Sequence, residues 1–214
     1  MTVDIFIVIF VGLLFILGYK KGFIRTFFDT LGVVVSFFLS KELYFHVENF
    51  LLKNTKLFVK MYDFFQGMFS ESVVNSFSNI PVELQKFANS IIMAETQDTY
   101  TAFIDNISLL TIRTISFLIT FLALYAVLLF LSTLIDTIMK LPVLNLTNRI
   151  LGGLTGILKA VVILYIVFAL STPLIGFMQD KPLMQSILNS ESSRIFYDNN
   201  ILLNYLSYKG FYEK

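Results

Sequence analysis

From Ile150 to Leu170 the chain runs through 21 residues with a single charge, Lys159. That is about the length, roughly 20 residues, that a helix needs to cross the hydrocarbon core of a bilayer. No water is available there, so every backbone N–H and C=O must be satisfied within the segment, which dictates a helix. Gly152, Gly156 and Ala160 recur at four-residue spacing and so share one face. Such a small-xxx-small stripe lets a second helix approach closely, as helices must where lipid removes the hydrophobic drive to associate. The stripe predicts a contact with the second apolar run through Gly32, Ser36 and Ser40, or with the first through Gly12 and Gly18. Gly153, about 100° round the helix, is expected to matter less, and Val162 to face lipid. Lys159 lies over two turns into the apolar region. An ionisable side chain there either snorkels to the surface or meets a partner.

Three more runs of this kind follow from the pattern. Met1–Tyr19 has no basic n-region and no Ala-x-Ala site, so it is expected to be retained as a helix, not cleaved as a signal. Phe23–Ser40 is the second run. Ile115–Ile135 is the apolar section of a stretch, Thr99–Leu141, that contains neither Gly nor Pro and predicts one long helix. At 56% hydrophobic residues over 214 positions, the chain exceeds the roughly 45–50% of soluble domains.

Charge distribution sets the expected topology. Lys20, Lys21 and Arg25 surround the turn after the first run, and Lys140 and Arg149 flank the turn after the third, with Asp136 before it and Pro142 within it. By the positive-inside rule both turns face the cytoplasm and both termini lie outside. Gly18 and Gly22 flank the first turn. Arg25 and Asp29, four apart, share a helix face and can pair, and Asp29 and Lys159 reach comparable depth from the cytoplasmic side.

Between the two hairpins, residues 41–110 read as an exterior insertion. Val47, Leu51, Phe58, Met61, Phe65 and Met68 recur at helical spacing opposite Lys53, Lys56 and Lys60. This is an amphipathic helix, lying in the membrane interface or packed on the transmembrane unit. A Ser/Asn-rich loop at Asn75–Asn79 and a second helix from Pro81 to about Ala94 complete it. Ser171, Thr172 and Pro173 are expected to end the fourth span. The exterior tail, 173–214, holds two candidate short helices, Pro182–Leu188 and Asn200–Tyr208, with Leu202, Leu203, Tyr205 and Leu206 able to lie on the bilayer surface.

Several kinds of chemistry have no basis in these residues. The net charge of +1 argues against nucleic acid. There is no cysteine and one histidine, His46, so thiolate metal sites and Cys nucleophiles are excluded. No phosphate-cradling loop, His-Glu-x-x-His or Gly-x-Ser-x-Gly occurs, and no pair of carboxylates has acid–base spacing. No catalytic, cofactor-binding or metal residue is assigned, and the chain is expected not to be an enzyme.

Two short motifs carry a resemblance. Asn148-Arg149, Gly152, Gly156, then basic Lys159 and small Ala160 resemble the second hairpin of the colicin V production protein (CvpA-like) family of bacterial inner-membrane proteins, with Ala160 where glycine is usual. Lys21-Gly22-Phe23-Ile24-Arg25 resembles that family's first-hairpin turn, and Asp4 an early aspartate. The resemblance implies a cytoplasmic-membrane protein linked to toxin (colicin V) production or export and to envelope function. The expected fold is all-α and polytopic, one membrane domain over 1–214 with hairpins at 1–40 and 111–172. The expected partners are the lipid bilayer and other membrane proteins or a second copy of itself. A scaffold role and, alternatively, a small oligomeric transporter with Asp29 and Lys159 on a polar path are both open.

Overall fold

In a computed structural model, the structure describes residues 2–69, 99–139, 146–177, 182–198 and 200–212. The helices are α1 (Thr2–Lys21), α2 (Phe23–Asn54), α3 (Leu57–Met68), α4 (Thr99–Met139), α5 (Leu146–Phe177), α6 (Pro182–Leu188), α7 (Glu191–Tyr197) and α8 (Ile201–Tyr208), and no strand occurs among the described residues. Four of them, α1, α2, α4 and α5, are long and apolar enough to cross a membrane. The chain is therefore an all-α, multi-pass membrane protein. The expected loop at Asn75–Asn79, the helix from Pro81, and Lys140 and Pro142 lie outside the described residues, as does the side chain of Asp136.

The packing order does not follow the chain. α1 packs chiefly on α5, α5 also packs on α2, and α2 packs chiefly on α4. The sequence-adjacent α1 and α2 touch only lightly, because α5 is inserted beside the turn that joins them. Buried hydroxyls inside this unit bond back to the carbonyl four residues earlier: Thr26 to Gly22, Thr30 to Thr26, Ser116 to Ile112 and Thr120 to Ser116. Such back-bonding satisfies a hydroxyl in hydrocarbon without a second helix.

Three helices, α2, α4 and α5, are longer than a bilayer requires. At 1.5 Å per residue, α2 with 32 residues is about 48 Å long and α4 with 41 about 61 Å, against a hydrocarbon core of about 30 Å. Both overshoot on the side away from the Gly22 turn. There α3 covers the start of α4, with Phe69 edge-on to Phe103 at 5.4 Å, and Phe103, Ile104 and Ile107 fully buried. Arg113 of α4 pairs with Glu48 of α2 at 3.2 Å and donates from Nη1 to the Phe211 carbonyl at 2.6 Å. α2, α4 and the tail are thereby tied together beyond the membrane.

The structure departs from the sequence expectations in four places. α2 does not end at Ser40 but continues to Asn54, and the expected amphipathic helix divides at Thr55–Lys56 between the end of α2 and α3. Lys41 brings no helix-breaking residue, so nothing local stops α2 there. α5 continues through Pro173 to Phe177. Proline has no N–H for the carbonyl four residues earlier, but the Tyr212 hydroxyl donates to that Ala169 carbonyl at 2.7 Å. The tail lies on the protein: Leu203 and Leu206 are buried in the core cluster, and Gly210 at φ 66° turns the chain so that Phe211 enters it as well. α7 lies between the two short helices expected, and Ser190 caps it by accepting from Ser193 N at 3.1 Å.

Candidate functional site

The site is built where the first hairpin turn meets α5. α1 and α2 are separated by Gly22 alone, at φ 84°, a backbone region that side chains with a Cβ avoid. Its N–H still reaches Gly18 O at 2.8 Å. This leaves the first N–H of α2 without an intrahelical acceptor, and Asn148 at the start of α5 supplies one: its Oδ1 accepts from Phe23 N at 3.0 Å. Asn148 is thus a helix cap supplied by a different helix, and it locks the two hairpins in register.

The glycines make that reach possible. A Cβ on Gly152 would lie 2.6 Å from Gly22 C and closer still to Gly18 O, and one on Gly18 would lie 3.1 Å from Gly156 Cα. One on Gly156 would strike Leu14 O. The stripe therefore packs backbone to backbone on α1, not on the Gly32/Ser36/Ser40 face of α2. Gly12 has nothing within 4 Å of its Cβ position, so the first contact runs through Gly18 and Gly22. Gly153 also faces α1, against the Phe15 ring, and Ala160 is fully buried. Gly32 faces Tyr125 of α4, whose Cε2 lies 3.6 Å from its Cβ position, an ordinary van der Waals contact. Ser36 is buried, with no hydrogen-bond partner at Oγ among the described residues, while its carbonyl accepts from Ser40 Oγ. Val162 is half-buried against the core cluster and does not simply face lipid.

About 9 Å further along α2, six residues from its start, lies Asp29. Its carboxylate is 4% exposed and bonds Lys21 Nζ at 2.6 Å. Lys159 Nζ of α5 is 3.9 Å from the same oxygen and donates to the Tyr125 hydroxyl at 2.7 Å. Lys21 from the end of α1, Asp29 from α2, Tyr125 from α4 and Lys159 from α5 thus converge, one from each long helix. Arg25 and Arg149 are exposed at the turn side. A charge in hydrocarbon is tolerated when paired and hydrogen-bonded; here one carboxylate serves two ammonium groups, and Lys21, 39% exposed, opens the cluster toward the turn surface.

Asp4 occupies the opposite end of α1. Its Oδ1 accepts from Ser190 Oγ at 2.7 Å and Ser192 N at 3.2 Å, which fastens α1 to the start of α7. His46 is exposed, with its ring 3.9 Å from that of Phe45. Among the described residues no three His, Cys, Asp or Glu side chains converge on one point.

Sequence reasoning singled out Asp29 and Lys159 but missed Lys21 as the nearer partner of Asp29, and Tyr125 altogether. Lys21 was legible only as a topogenic charge. The signal for Tyr125 was a lone hydroxyl in the apolar stretch Phe121–Leu131.

Searches of curated proteins and of solved structures return no match to this chain. A family model described as colicin V production protein matches residues 3–200, from the first turn of α1 to the cap of α8, and so includes Asp4, the Gly22 turn, Asn148, the glycine stripe and both charges of the cluster. The chain belongs to the colicin V production protein family.

Proposed function

We propose that this protein is a non-catalytic membrane scaffold in the bacterial cytoplasmic (inner) membrane, accessory to toxin (colicin V) production or export and to envelope function. It binds other membrane proteins or a second copy of itself, and both termini lie outside the cytoplasm. The observation that carries the reading is the continuity of α2 and α4. Each leaves the bilayer as an unbroken helix and is braced there by α3, the Arg113–Glu48 pair and the tail. A partner seated on that exterior part acts on a rigid lever into the membrane unit. Membership of the family supports the link to colicin V production, and the basic residues Lys20, Lys21, Arg25 and Arg149 at the turn side support the orientation.

The intramembrane cluster favours a second reading, a small oligomeric transporter in which Asp29 and Lys159 lie on a polar path. One preparation separates the two. The full chain, tagged and purified from its own membrane, is analysed for co-purifying membrane proteins and reconstituted in liposomes. The scaffold reading expects a stoichiometric membrane partner, no ion or solute flux, and reduced secretion of toxin from cells lacking the gene. Flux abolished by Asp29→Asn supports the transporter instead. The native chain has no cysteine, so single cysteines report orientation: Lys209→Cys is expected to label from outside intact cells, and Lys21→Cys is not.

A further inference from the structure

The polar cluster and the glycine contacts all lie near the turn-side end of the four helices. Just beyond the cluster, farther from the turn, α2 and α5 border a partly open cavity of about 370 Å³, walled by Val34 and Phe38 of α2 and by Val161, Val162 and Ile166 of α5, and roofed by Leu202 of α8. Its lining is almost wholly apolar, and Phe38 is also exposed at the protein surface, so the cavity adjoins the lipid. The volume falls in the range of about 300–1,000 Å³ typical of sites for small organic ligands.

One turn beyond Phe38 on the same face of α2 is Lys41, seven residues from Val34 and so about 10 Å along the axis. It is 9% exposed. Its ammonium lies 5.4 Å from the centroid of the Tyr44 ring, and among the described residues no carboxylate lies within 4 Å of it and no hydrogen bond reaches it. Lys159 of α5, 12% exposed, has by contrast both an acid and a hydroxyl. Lys41 lies 18 residues, about 27 Å, from the start of α2 at Phe23, close to the far edge of an approximately 30 Å hydrocarbon core. An apolar slot that adjoins lipid, followed along the membrane normal by a cation without an acid at head-group depth, matches the order of groups in a phospholipid.

We infer that α2, α5 and α8 form a site for one phospholipid of the leaflet away from the Gly22 turn, with an acyl chain in the Val34–Val162 cavity and the phosphate on Lys41. The phosphate supplies a counter-charge that no carboxylate among the described residues brings within 4 Å, and Tyr44 holds the ammonium toward it by its ring face. The acyl chain fills the space between α2 and α5 beneath α8. The inference does not depend on whether the protein is a scaffold or a transporter.

Native mass spectrometry of the full chain in mild detergent, titrated with phosphatidylglycerol and with uncharged diacylglycerol, tests it. The expected result is one phosphatidylglycerol retained per chain, bound in preference to diacylglycerol. Lys41→Met weakens retention about fivefold, the order expected for one basic side chain near a lipid surface, and Lys41→Arg restores it. Val162→Trp, which fills the cavity, abolishes retention of both lipids, and Val34→Trp does the same from the opposite wall should the first variant not fold. Lys60→Met, an exposed lysine on α3, leaves retention unchanged. Equal binding of the two lipids, full retention by Lys41→Met, full retention by either tryptophan variant that folds, or an equal loss in Lys60→Met each overturns the assignment.

Discussion

Gly152 and Gly153 are chemically identical neighbours with different environments. A side chain at Gly152 strikes the backbone of Gly18 and Gly22, which cannot rotate away, whereas one at Gly153 meets the Phe15 ring, which can. Gly152→Ala is therefore expected to destabilise the protein in detergent by about 1–3 kcal/mol, the usual range for overpacking, and Gly153→Ala by clearly less. Gly12→Ala, with open space at its Cβ, serves as the silent control. Thermal unfolding of the three variants decides it, and equal losses at 152 and 153 would refute the backbone argument. The charges allow a second measurement. Removing Asp29 leaves Lys159 beside a hydroxyl and, among the described residues, no paired anion, and removing Lys159 leaves Asp29 with Lys21. Breaking a buried pair costs about 3–5 kcal/mol, but access of Lys21 to water reduces this, so Asp29→Asn is expected to cost about 1–3 kcal/mol. Asp29→Asn combined with Lys159→Met should cost less than the sum of the two single changes. Strict additivity would mean that the 3.9 Å approach carries no coupling.

At the scale of the element, α5 shows how a helix is carried past its own breaker. Pro173 leaves the Ala169 carbonyl without its usual donor, and the Tyr212 hydroxyl replaces it from the end of the chain. Tyr212→Phe removes that bond and leaves a buried carbonyl unsatisfied, at an expected cost of about 1–3 kcal/mol. Burial pushes the Tyr212 phenol above its ordinary value. The sign follows from linkage: the unfolded phenol ionises near pH 10 and the folded one does not, so the contribution is complete below about pH 10 and is lost as pH rises beyond it. Stability measured from pH 8 to 11 should fall at the alkaline end, and less steeply in Tyr212→Phe. An unchanged slope would exclude Tyr212 as a source. The same element was partly legible in the sequence. The apolar run and the small stripe of α5 follow from composition and spacing. Its extension through Pro173 does not, because the compensating donor lies about 40 residues away.

For the whole molecule, the informative feature is that the membrane unit and the part that extends beyond it share helices. Arg113, Glu48 and the Phe211 carbonyl form the joint between them, with the two charged side chains 16% and 13% exposed. Arg113→Met leaves Glu48 and that carbonyl largely buried without their donor. It is expected to cost about 3–5 kcal/mol and to release the tail to protease before the helices unfold. Adding Glu48→Met should recover part of the loss. Limited proteolysis with mass mapping of the 200–212 segment checks this, and a tail equally protected in the single variant would place the joint elsewhere.

The elements are legible along the chain: four helices long and apolar enough to span, the Gly22 turn, the α5 stripe and the depth of Asp29 and Lys159. Each depends on spacing along one helix or on the absence of water, which local chemistry dictates. The partners of those elements emerge only in the assembled fold. In lipid no hydrophobic force ranks one helix face above another, and several small-residue faces were available, so the choice of α1 for the α5 stripe depended on which backbones could close to contact. The same holds for Lys21 against Asp29, Asn148 capping α2, Tyr125 against Lys159 and Tyr212 under Pro173. Each bond joins residues whose separation in the chain carries no periodic signal, and only the assembled helices bring the donor to its acceptor.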